Sequence, residues 1–421
     1  MIKKTKVINI LYHVPPYDNY PIDKPPPVNW VLPNGKWIGI WGYDIPNKFG
    51  EEILKRSQNL VYEVWQPDLR ANKIYSHTFS SGVVHKLFPA KAIHRMKGLK
   101  IVEDVFSQVL IDELKRTIDD MTVIHLNSIS GSINERIINE FYSIPKVVNF
   151  HSKITSLPIQ QIFKLRKNIF YNFQNIIKHF NLKKNRKIIF TYNNSKNIKY
   201  FTKYPNLGIY RIFTSIDFKY WVRGDKKRAK ASFNIKEFTF VFSMASRLNP
   251  HKQIDKIINI FSNLENENEF DFCLLIAGNG EDSYINYLHT IAEKLINKGK
   301  IKFTGYLTGD KLKTLYNASD MFISASISEG GPTSVIKAMA CEVPVFCTKS
   351  GGVDDFIEEH GGGNLLEWDD YSEWESVFKQ ILLKQNKPKN FNRELSKKLF
   401  NWDIAAKKYI EIYRHLIDKN K

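Results

Sequence analysis

Cysteine is scarce in this sequence, with three residues in 421. They are Cys273, Cys341 and Cys347, and each lies within or beside an apolar segment. Their number is odd, no C-x-x-C spacing occurs and no histidines cluster with them, which excludes a disulfide framework and a zinc finger. We expect them to be reduced residues of the core.

Long apolar runs are also missing. No uninterrupted apolar stretch reaches 18 residues, which excludes a typical membrane-spanning helix. The run from Val7 to Val14 follows basic residues, as in a signal peptide, but it has only eight residues and stops at Pro15. We interpret it as a first buried strand, and we expect the protein to be made and kept in the cytoplasm.

Acidic residues are absent from residues 141–216, although the whole chain carries a formal charge of +19. Residues 160–187 combine cations with interleaved aromatic residues in the pattern of a basic amphipathic helix, a form that binds anionic membrane surfaces. The alternative is a solvated basic face that follows from the Lys-, Asn- and Ile-rich composition of the chain. The candidate membrane or acceptor surface comprises Lys164, Arg166, Lys167, Lys183, Lys184, Arg186 and Lys187.

Charge alone does not indicate nucleic-acid binding. The sequence has no helix-turn-helix signature, zinc-finger spacing or aromatic RNA-binding motif. We therefore expect no nucleic-acid partner.

Short apolar runs alternate with helical patterns along nearly the whole chain, which is typical of parallel α/β units. A chain of 421 residues exceeds what one core usually organises, so two doubly wound domains are expected. A charge-dense stretch after Asp217 predicts the junction between them. The predicted division is a first domain at 1–217, a linker at 218–236 and a second domain at 237–399. Ligands of such folds bind beyond the carboxyl ends of the strands, and two facing domains form a cleft.

Three loops that follow strands of the second half contain residues suited to an anionic, hydroxyl-rich ligand. Arg247 and Lys252 lie in the first loop, before a helix, where two cations suit a diphosphate. The second loop contains Gly278 and Gly280, which allow close backbone approach or simply a tight bend. In the third loop, "SEGGPTS", Glu329 can accept hydrogen bonds from ligand hydroxyls, and Thr333 or Ser334 can cap the helix that follows.

The sequence resembles the retaining glycosyltransferases of the family-4 type, also called glycosyl transferases group 1. The resemblance rests on "SRLNPHKQID", "LLIAGNGED", "SEGGPTSVIKAMACEVPVF" and "SGGVDDFIEEHGGGNLLEWDD", which occur in that order over most of residues 243–371. It implies the GT-B fold, in which two Rossmann-like domains face each other across a cleft. The segment 400–421 is similar to the family's last helix, which returns to complete the first domain.

The resemblance also implies roles for individual residues. Arg247 and Lys252 would bind the donor diphosphate, Glu329 would approach sugar hydroxyls, and His151 would lie near the sugar ring. Gly305 and Tyr306 match the region that contacts the nucleobase. The remaining donor-site candidates are Gly278, Gly280, Gly330, Gly331, Pro332, Thr333, Ser334 and Lys337. The family is metal-independent, in agreement with the absence of an Asp-x-Asp triplet, and no cofactor is expected.

Lys337 departs from the family pattern, which has a second glutamate eight residues after the first. That glutamate usually accepts hydrogen bonds from the nucleotide ribose, and a lysine cannot accept them while it is charged. Lys337 would face a phosphate or pair with Glu329 instead. A lone histidine after a strand, such as His151, is otherwise more often structural than functional.

The expected function is therefore that of a retaining, metal-independent hexosyltransferase that uses a nucleotide-sugar, with UDP or GDP as the favoured nucleotides. Its expected acceptor is a glycan, including a lipid-linked one, in bacterial surface polysaccharide or glycoconjugate assembly, at the inner face of the cell membrane. Two alternatives stay open. One is a catalytically weak homologue that acts as the partner subunit of another glycosyltransferase, and the other is a phosphorylase relative that uses a sugar phosphate.

Overall fold

The described residues of the chain form two compact units in a computed structural model. Unit 1 comprises the described parts of 1–193, 197–212 and 402–421, and unit 2 those of 194–196 and 213–401. The structure describes residues 3–11, 28–33, 37–40, 45–97, 100–128, 131–150, 187–194, 208–267, 270–383 and 393–419.

Unit 1 is built on a sheet whose described strands run in the order β12-β11-β10-β9-β1-β4-β6-β5. Every neighbouring pair is parallel except β5 with β6. The strands of this unit are β1 (Thr5–Ile10), β2 (Val28–Val31), β3 (Trp37–Ile40), β4 (Leu60–Asp68), β5 (Tyr75–Thr78), β6 (Val84–Pro89), β7 (Lys91–Lys97), β8 (Lys100–Phe106), β9 (Thr122–Leu126), β10 (Lys146–Phe150), β11 (Ile188–Tyr192) and β12 (Gly208–Arg211). Its described helices are α1 (Ile45–Leu54), α2 (Gln108–Thr117), α3 (Ser132–Glu140) and α12 (Trp402–Asp418).

The stretch between β4 and α2 differs from the expected alternation of strands and helices. It contains four strands in succession, β5 to β8, of which β7 and β8 form a separate antiparallel pair. The apolar residues of β7 are Ala92, Ile93 and Met96, which do not alternate with polar residues, so its sequence lacks the period of two that is typical of a half-solvated strand. The antiparallel pairing of β7 with β8 therefore decides the strand conformation here, and the local sequence pattern does not.

The C-terminal helix α12 is part of unit 1. Its buried Tyr409 and Tyr413 pack beside His125, and the Tyr413 hydroxyl lies 2.6 Å from Nδ1 of that histidine. The Tyr409 hydroxyl donates to Oδ1 of Asn149 at 2.7 Å. These hydroxyls are buried among apolar residues, where a hydroxyl without a partner is costly. The hydrogen bonds therefore favour one position of the helix along the sheet.

Unit 2 is built on a sheet in which every described strand is parallel, in the order β15-β14-β13-β16-β17-β18. The strands are β13 (Phe240–Ala245), β14 (Phe272–Ala277), β15 (Ile301–Gly305), β16 (Met321–Ser324), β17 (Val345–Thr348) and β18 (Gly363–Leu366). The helices are α4 (Lys226–Ala231), α5 (Ile254–Glu267), α6 (Asp282–Asn297), α7 (Gly309–Ala318), α8 (Thr333–Ala340), α9 (Asp354–His360), α10 (Tyr371–Leu382) and α11 (Arg393–Phe400) among the described residues.

Helices cover both faces of this second sheet. Val241 of β13 belongs to the apolar cluster on one face, and its neighbour Phe242 belongs to the cluster on the other. Strands buried on both faces read as continuous apolar runs, which is why β13 and β14 could be predicted from the sequence. Unit 2 is therefore a doubly wound α/β domain.

Residues 218–236, for which the sequence analysis predicts a linker, lie within unit 2. Phe218, Trp221, Ala229 and Ile235 are buried in the same apolar cluster as Val241. Charged residues dominate the composition of this stretch, so its spaced apolar residues do not form a recognisable pattern in the sequence. These apolar residues anchor α4 to the domain.

Among the described residues, no helix is both long enough and apolar enough to span a membrane. The three cysteines are buried free thiols.

Candidate functional site

The carboxyl ends of the unit 2 strands meet at one edge of the sheet because all the described strands are parallel. The loop after β13 carries Arg247 and Lys252, the loop after β14 carries Gly278 and Gly280, and the loop after β16 carries Glu329. The structure therefore brings these residues to a common edge, although up to 82 positions separate them in the sequence.

Lys252 and Glu329 form an ion pair between the loops that follow β13 and β16. Both side chains are 17% exposed. The carboxylate of Glu329 also accepts a hydrogen bond of 2.6 Å from the hydroxyl of Ser326. A carboxylate held by a cation and a hydroxyl has a defined orientation at the rim of the site.

Further contacts hold these two loops together and join the second of them to the loop after β17. The amide of Ile327 donates to the carbonyl oxygen of His251 at 3.1 Å, and Nε2 of His251 lies 3.2 Å from the carbonyl oxygen of Ser328. The amide of Glu329 donates to the carbonyl oxygen of Ser350 at 3.0 Å. Sequence reasoning missed these contacts, although Ser326 and His251 lie within four residues of the predicted Glu329 and Lys252.

Gly278 and Gly280 make room for the loop after β13. A Cβ atom on Gly278 would lie 1.9 Å from the carbonyl oxygen of Ser246, and one on Gly280 would lie 2.0 Å from that of Leu248. The amide of Leu248, in the loop after β13, donates to the carbonyl oxygen of Asn279, in the loop after β14, at 2.8 Å. These glycines therefore position the loop that carries Arg247, which is a different role from direct contact with a ligand.

The helix α8 begins at Thr333, four residues after Glu329. Its N-cap is Pro332, and no side chain caps it, so neither Thr333 nor Ser334 has the capping role expected from the sequence. The amides of the first turn have no carbonyl partner in their own helix, and this arrangement suits an anion. Gly330 and Gly331 lie between Glu329 and this helix end.

Lys252 is separated from the α-helix that follows it. It ends a 3-10 turn over Pro250–Lys252, and Gln253 adopts a left-handed backbone with φ of 51° before α5 begins at Ile254. The expected helix after this loop is thus present, but it begins two residues beyond Lys252. The turn directs the lysine to Glu329.

Arg247 and Tyr306 are exposed at the same edge. Within the described residues, the guanidinium of Arg247 has no hydrogen bond or ion pair. Tyr306, 59% exposed, follows β15, whose last residue Gly305 has φ of 68°. An exposed cation and an exposed aromatic ring here are free to contact a ligand.

Lys337 lies on α8 and does not pair with Glu329. Its Nζ lies 4.7 Å from the centre of the Trp221 ring, in a cation–π contact. Burial lowers the pKa of Lys337 from its ordinary value, since no carboxylate of the described residues forms an ion pair with it. Of the two arrangements expected for this lysine, pairing with Glu329 is therefore wrong.

Cys347 lies in β17 beneath the site. Burial raises the pKa of its thiol well above the ordinary value, and the carboxylates of Asp354 and Glu329 act in the same direction. A thiol that stays protonated is a poor nucleophile, so Cys347 is a core residue.

His151 and the basic residues Lys164, Arg166, Lys167, Lys183, Lys184 and Arg186 lie outside the described residues. Lys187 is described, at the start of β11, where its carbonyl oxygen accepts from the amide of Lys146 at 2.8 Å. The roles predicted for these residues stay predictions.

Residues 225–398 match the model of the family described as glycosyl transferases group 1. An uncharacterised glycosyltransferase of Methanocaldococcus jannaschii is 27% identical over 200 residues, which are 46% of this chain and 49% of the relative. The N-acetyl-alpha-D-glucosaminyl L-malate synthase of Bacillus anthracis is 24% identical over 51% of this chain and 56% of its own. The chain thus spans about half the length of the curated relatives it matches.

Solved structures resemble the whole chain. The sucrose-phosphate synthase of Thermosynechococcus elongatus aligns with a TM-score of 0.71 and 15% identity over 99% of this chain and 100% of its own. HepE of Anabaena, solved in complex with UDP and glucose, aligns with a TM-score of 0.64 and 14% identity over 97% of this chain and 98% of its own. Such low identities establish the fold alone. Residues 225–398 therefore match the glycosyl transferases group 1 family, and the chain as a whole has the GT-B fold with two Rossmann-like domains.

Proposed function

We propose that the protein is a glycosyltransferase that moves a sugar from a nucleotide-sugar to an acceptor. The ion pair of Lys252 with Glu329 carries this proposal, because it places a cation and a hydrogen-bond acceptor together beside the uncapped end of α8. A nucleotide-sugar needs both, since its diphosphate is anionic and its sugar carries hydroxyls. The family match over residues 225–398 supports the same reaction class.

In this proposal the diphosphate lies between Arg247, Lys252 and the first turn of α8. The leaving nucleotide gains negative charge as the glycosidic bond breaks, and these preorganised donors stabilise that charge. Glu329 accepts hydrogen bonds from the sugar hydroxyls, and Tyr306 lies by the nucleobase beyond Gly305. Lys337, on the second turn of α8, faces a phosphate of the nucleotide, since a charged lysine cannot accept hydrogen bonds from the ribose.

The finer points of the proposal are a retaining reaction, no metal requirement and transfer of a hexose. They rest on the four motifs that resemble the family-4 type and that occur in the order of that family. UDP is the favoured nucleotide because HepE, a structural neighbour, was solved with UDP. GDP is the alternative.

The proposed acceptor is a glycan, including a lipid-linked one, in the assembly of a bacterial surface polysaccharide or glycoconjugate at the inner face of the cell membrane. The basic, aromatic sequence of residues 160–187 supports this membrane-surface location. Replacing Lys183, Lys184, Arg186 and Lys187 together by glutamine should weaken binding to anionic vesicles. Equal binding by the variant would remove the membrane argument.

A thermal-shift screen against UDP, GDP, ADP, TDP and their sugar conjugates tests the proposal. A ligand at about 100 times its dissociation constant adds roughly 2.7 kcal/mol of stability. We expect a shift with one nucleotide that is lost in Arg247→Ala and kept in Arg228→Ala, which removes another exposed arginine of unit 2. No shift with any nucleotide, from folded protein, would overturn the proposal.

The position of Lys337 favours a second candidate, a partner subunit that binds nucleotide without efficient turnover. A lysine that packs on Trp221 cannot replace the ribose contact of a glutamate while it is charged. Nucleotide binding without turnover, together with a gain of activity in Lys337→Glu, would favour this candidate. Turnover by the natural protein would exclude it.

A further inference from the structure

Unit 2 has a groove at the edge opposite the candidate donor site. Two adjoining cavities, of about 320 Å³ and about 260 Å³, share Lys226, Phe240 and Asp320 as lining residues. Phe240 is the first residue of β13 and Asp320 directly precedes β16, so the cavities lie at the amino ends of these strands. We call this feature the amino-edge groove.

The amino-edge groove is too far from the donor loops for one small ligand to occupy both. Phe240 begins β13, and Arg247 follows its carboxyl end. A strand rises about 3.3 Å per residue, so the two sites are separated by roughly 15–20 Å. The groove is therefore a separate site, and its occupant does not depend on the function proposed above.

Aromatic rings form one wall of the larger cavity. Phe238 is 77% exposed, and Phe240 is partly exposed beside it. The faces of such rings attract the weakly positive C–H groups of a sugar ring. Exposed aromatic rings along a groove are thus suited to a carbohydrate chain.

Four cations and three carboxylates line the groove, and each carboxylate contacts at least one cation. Nζ of Lys227 lies 2.8 Å from the carboxylate of Glu237, and a guanidinium nitrogen of Arg223 lies 3.5 Å from that of Glu342. Lys226 and Lys230 both contact Asp320. A ligand with a dense negative charge, such as a diphosphate, would find a surplus of only one cation there. Hydroxyl groups, in contrast, both donate and accept, and paired charges offer them both kinds of partner.

The smaller cavity presents further polar groups. Tyr316 lines it, and the Tyr316 hydroxyl is fully buried without a hydrogen-bond partner among the described residues. The amide of Asn317 lines the same cavity, and its oxygen accepts from the amide of Gly224 at 2.8 Å. A buried hydroxyl without a partner is rare in folded proteins. Because Tyr316 is fully buried, the polar groups that a ligand can reach in this cavity are those of Asn317 and the charged residues that line it.

From these observations we infer that the amino-edge groove is a second carbohydrate site, which binds a neutral or sparsely charged oligosaccharide with a sugar ring stacked on Phe238. The combined cavities lie within the range of roughly 300–1,000 Å³ that is typical of small-molecule sites. An enzyme that holds a chain at a second site keeps it at a high effective concentration near its first site.

Saturation-transfer NMR on the full chain tests this inference with maltoheptaose, chitohexaose and a hyaluronan octasaccharide as probes. We expect at least one probe to bind, and its binding to persist in saturating UDP. Phe238→Ala should weaken binding about tenfold. Tyr287→Ala, which removes another exposed aromatic ring of unit 2, should leave it unchanged.

Three results would overturn the inference: no binding of any probe, equal binding by Phe238→Ala, or displacement of the probe by UDP. Binding of phosphatidylglycerol vesicles that depends on Phe238, without oligosaccharide binding, would also overturn it and assign the face to a membrane. Because Phe238 is exposed, its replacement should not affect folding, and an unchanged thermal-unfolding midpoint of the variant verifies this independently of the oligosaccharide result.

Discussion

Lys252 and Glu329 are 77 positions apart in the sequence and form an ion pair at the carboxyl edge of the unit 2 sheet. The pair joins the loops that follow β13 and β16, which are neighbouring strands. It assigns complementary roles to the two side chains, because the lysine can meet an anion while the carboxylate meets hydroxyls.

These roles predict different losses for Lys252→Met and Glu329→Gln. The lysine variant should lose most of the nucleotide thermal shift, because it removes a charge from the diphosphate site. The glutamate variant should keep most of the nucleotide shift and lose turnover, because it changes the sugar contact and leaves the positive charge of Lys252 in place. Two measurements check this prediction: the thermal shift with UDP, and the release of nucleotide from the sugar conjugate.

A double-mutant cycle with the same two variants measures the ion pair itself. Contacting residues couple by about 0.5–3 kcal/mol in folding free energy, and a pair of this burial should fall in that range. Ser326→Ala, which removes only the hydroxyl that donates to Glu329, is the matched control and should cause a smaller loss. Strictly additive single effects would contradict the pairing.

Gly278→Ala should destabilise unit 2 and weaken nucleotide binding together. Its φ is 151°, and the new Cβ atom would meet the carbonyl oxygen of Ser246 at 1.9 Å. The contact pushes the loop that holds Arg247 away from the loop after β14, at a cost above about 3 kcal/mol. Gly299→Ala is the control, because Gly299 also has a positive φ but no atom within 4 Å of its would-be Cβ. It should cost only about 1–2 kcal/mol and leave nucleotide binding unchanged.

Lys337→Met should stabilise the folded protein at neutral pH or leave it unchanged. The pKa of Lys337 is lowered by burial, so the folded state binds its proton less readily than the unfolded chain does. The resulting cost is present below the folded pKa and disappears as the pH rises toward the ordinary value near 10.5. The difference in unfolding midpoint between variant and natural protein should therefore shrink at high pH. Lys256→Met, which removes a more exposed lysine over Tyr371, should show no such trend.

Asp68→Asn should stabilise unit 1 above pH 6 but not near pH 4. Burial raises the pKa of Asp68 to about 6, and one of its carboxylate oxygens has no partner among the described residues. The folded state thus keeps a proton that the unfolded chain has lost, and stability falls as the pH rises from about 4 to about 6. A shift of this size corresponds to roughly 2–3 kcal/mol.

Urea unfolding at both pH values measures the change in unfolding free energy caused by Asp68→Asn, with Asp112→Asn as the exposed control. An equal change at both pH values would contradict the prediction.

Much of the fold could be predicted because its strands are buried on both faces. The strands Lys146–Phe150, Ile188–Tyr192 and Phe272–Ala277 coincide with apolar runs in the sequence. The four strands from β5 to β8 could not be predicted in the same way, since they are partly solvated and their sequences lack a continuous apolar run. The buried positions among the charges of residues 218–236 escaped notice for a related reason, because the charged residues between them dominate the local composition.

The sequence by itself determined which residues lie after the strands of unit 2, because the apolar period and the order of motifs are local properties. Arg247, Lys252, Glu329 and the glycines were found in this way. Only the tertiary structure decided that Lys252 pairs with Glu329, that Gly278 makes room for Ser246, and that Lys337 packs on Trp221. Each of these contacts joins residues more than 30 positions apart, and such partners are set by strand order and loop packing, which no local pattern encodes.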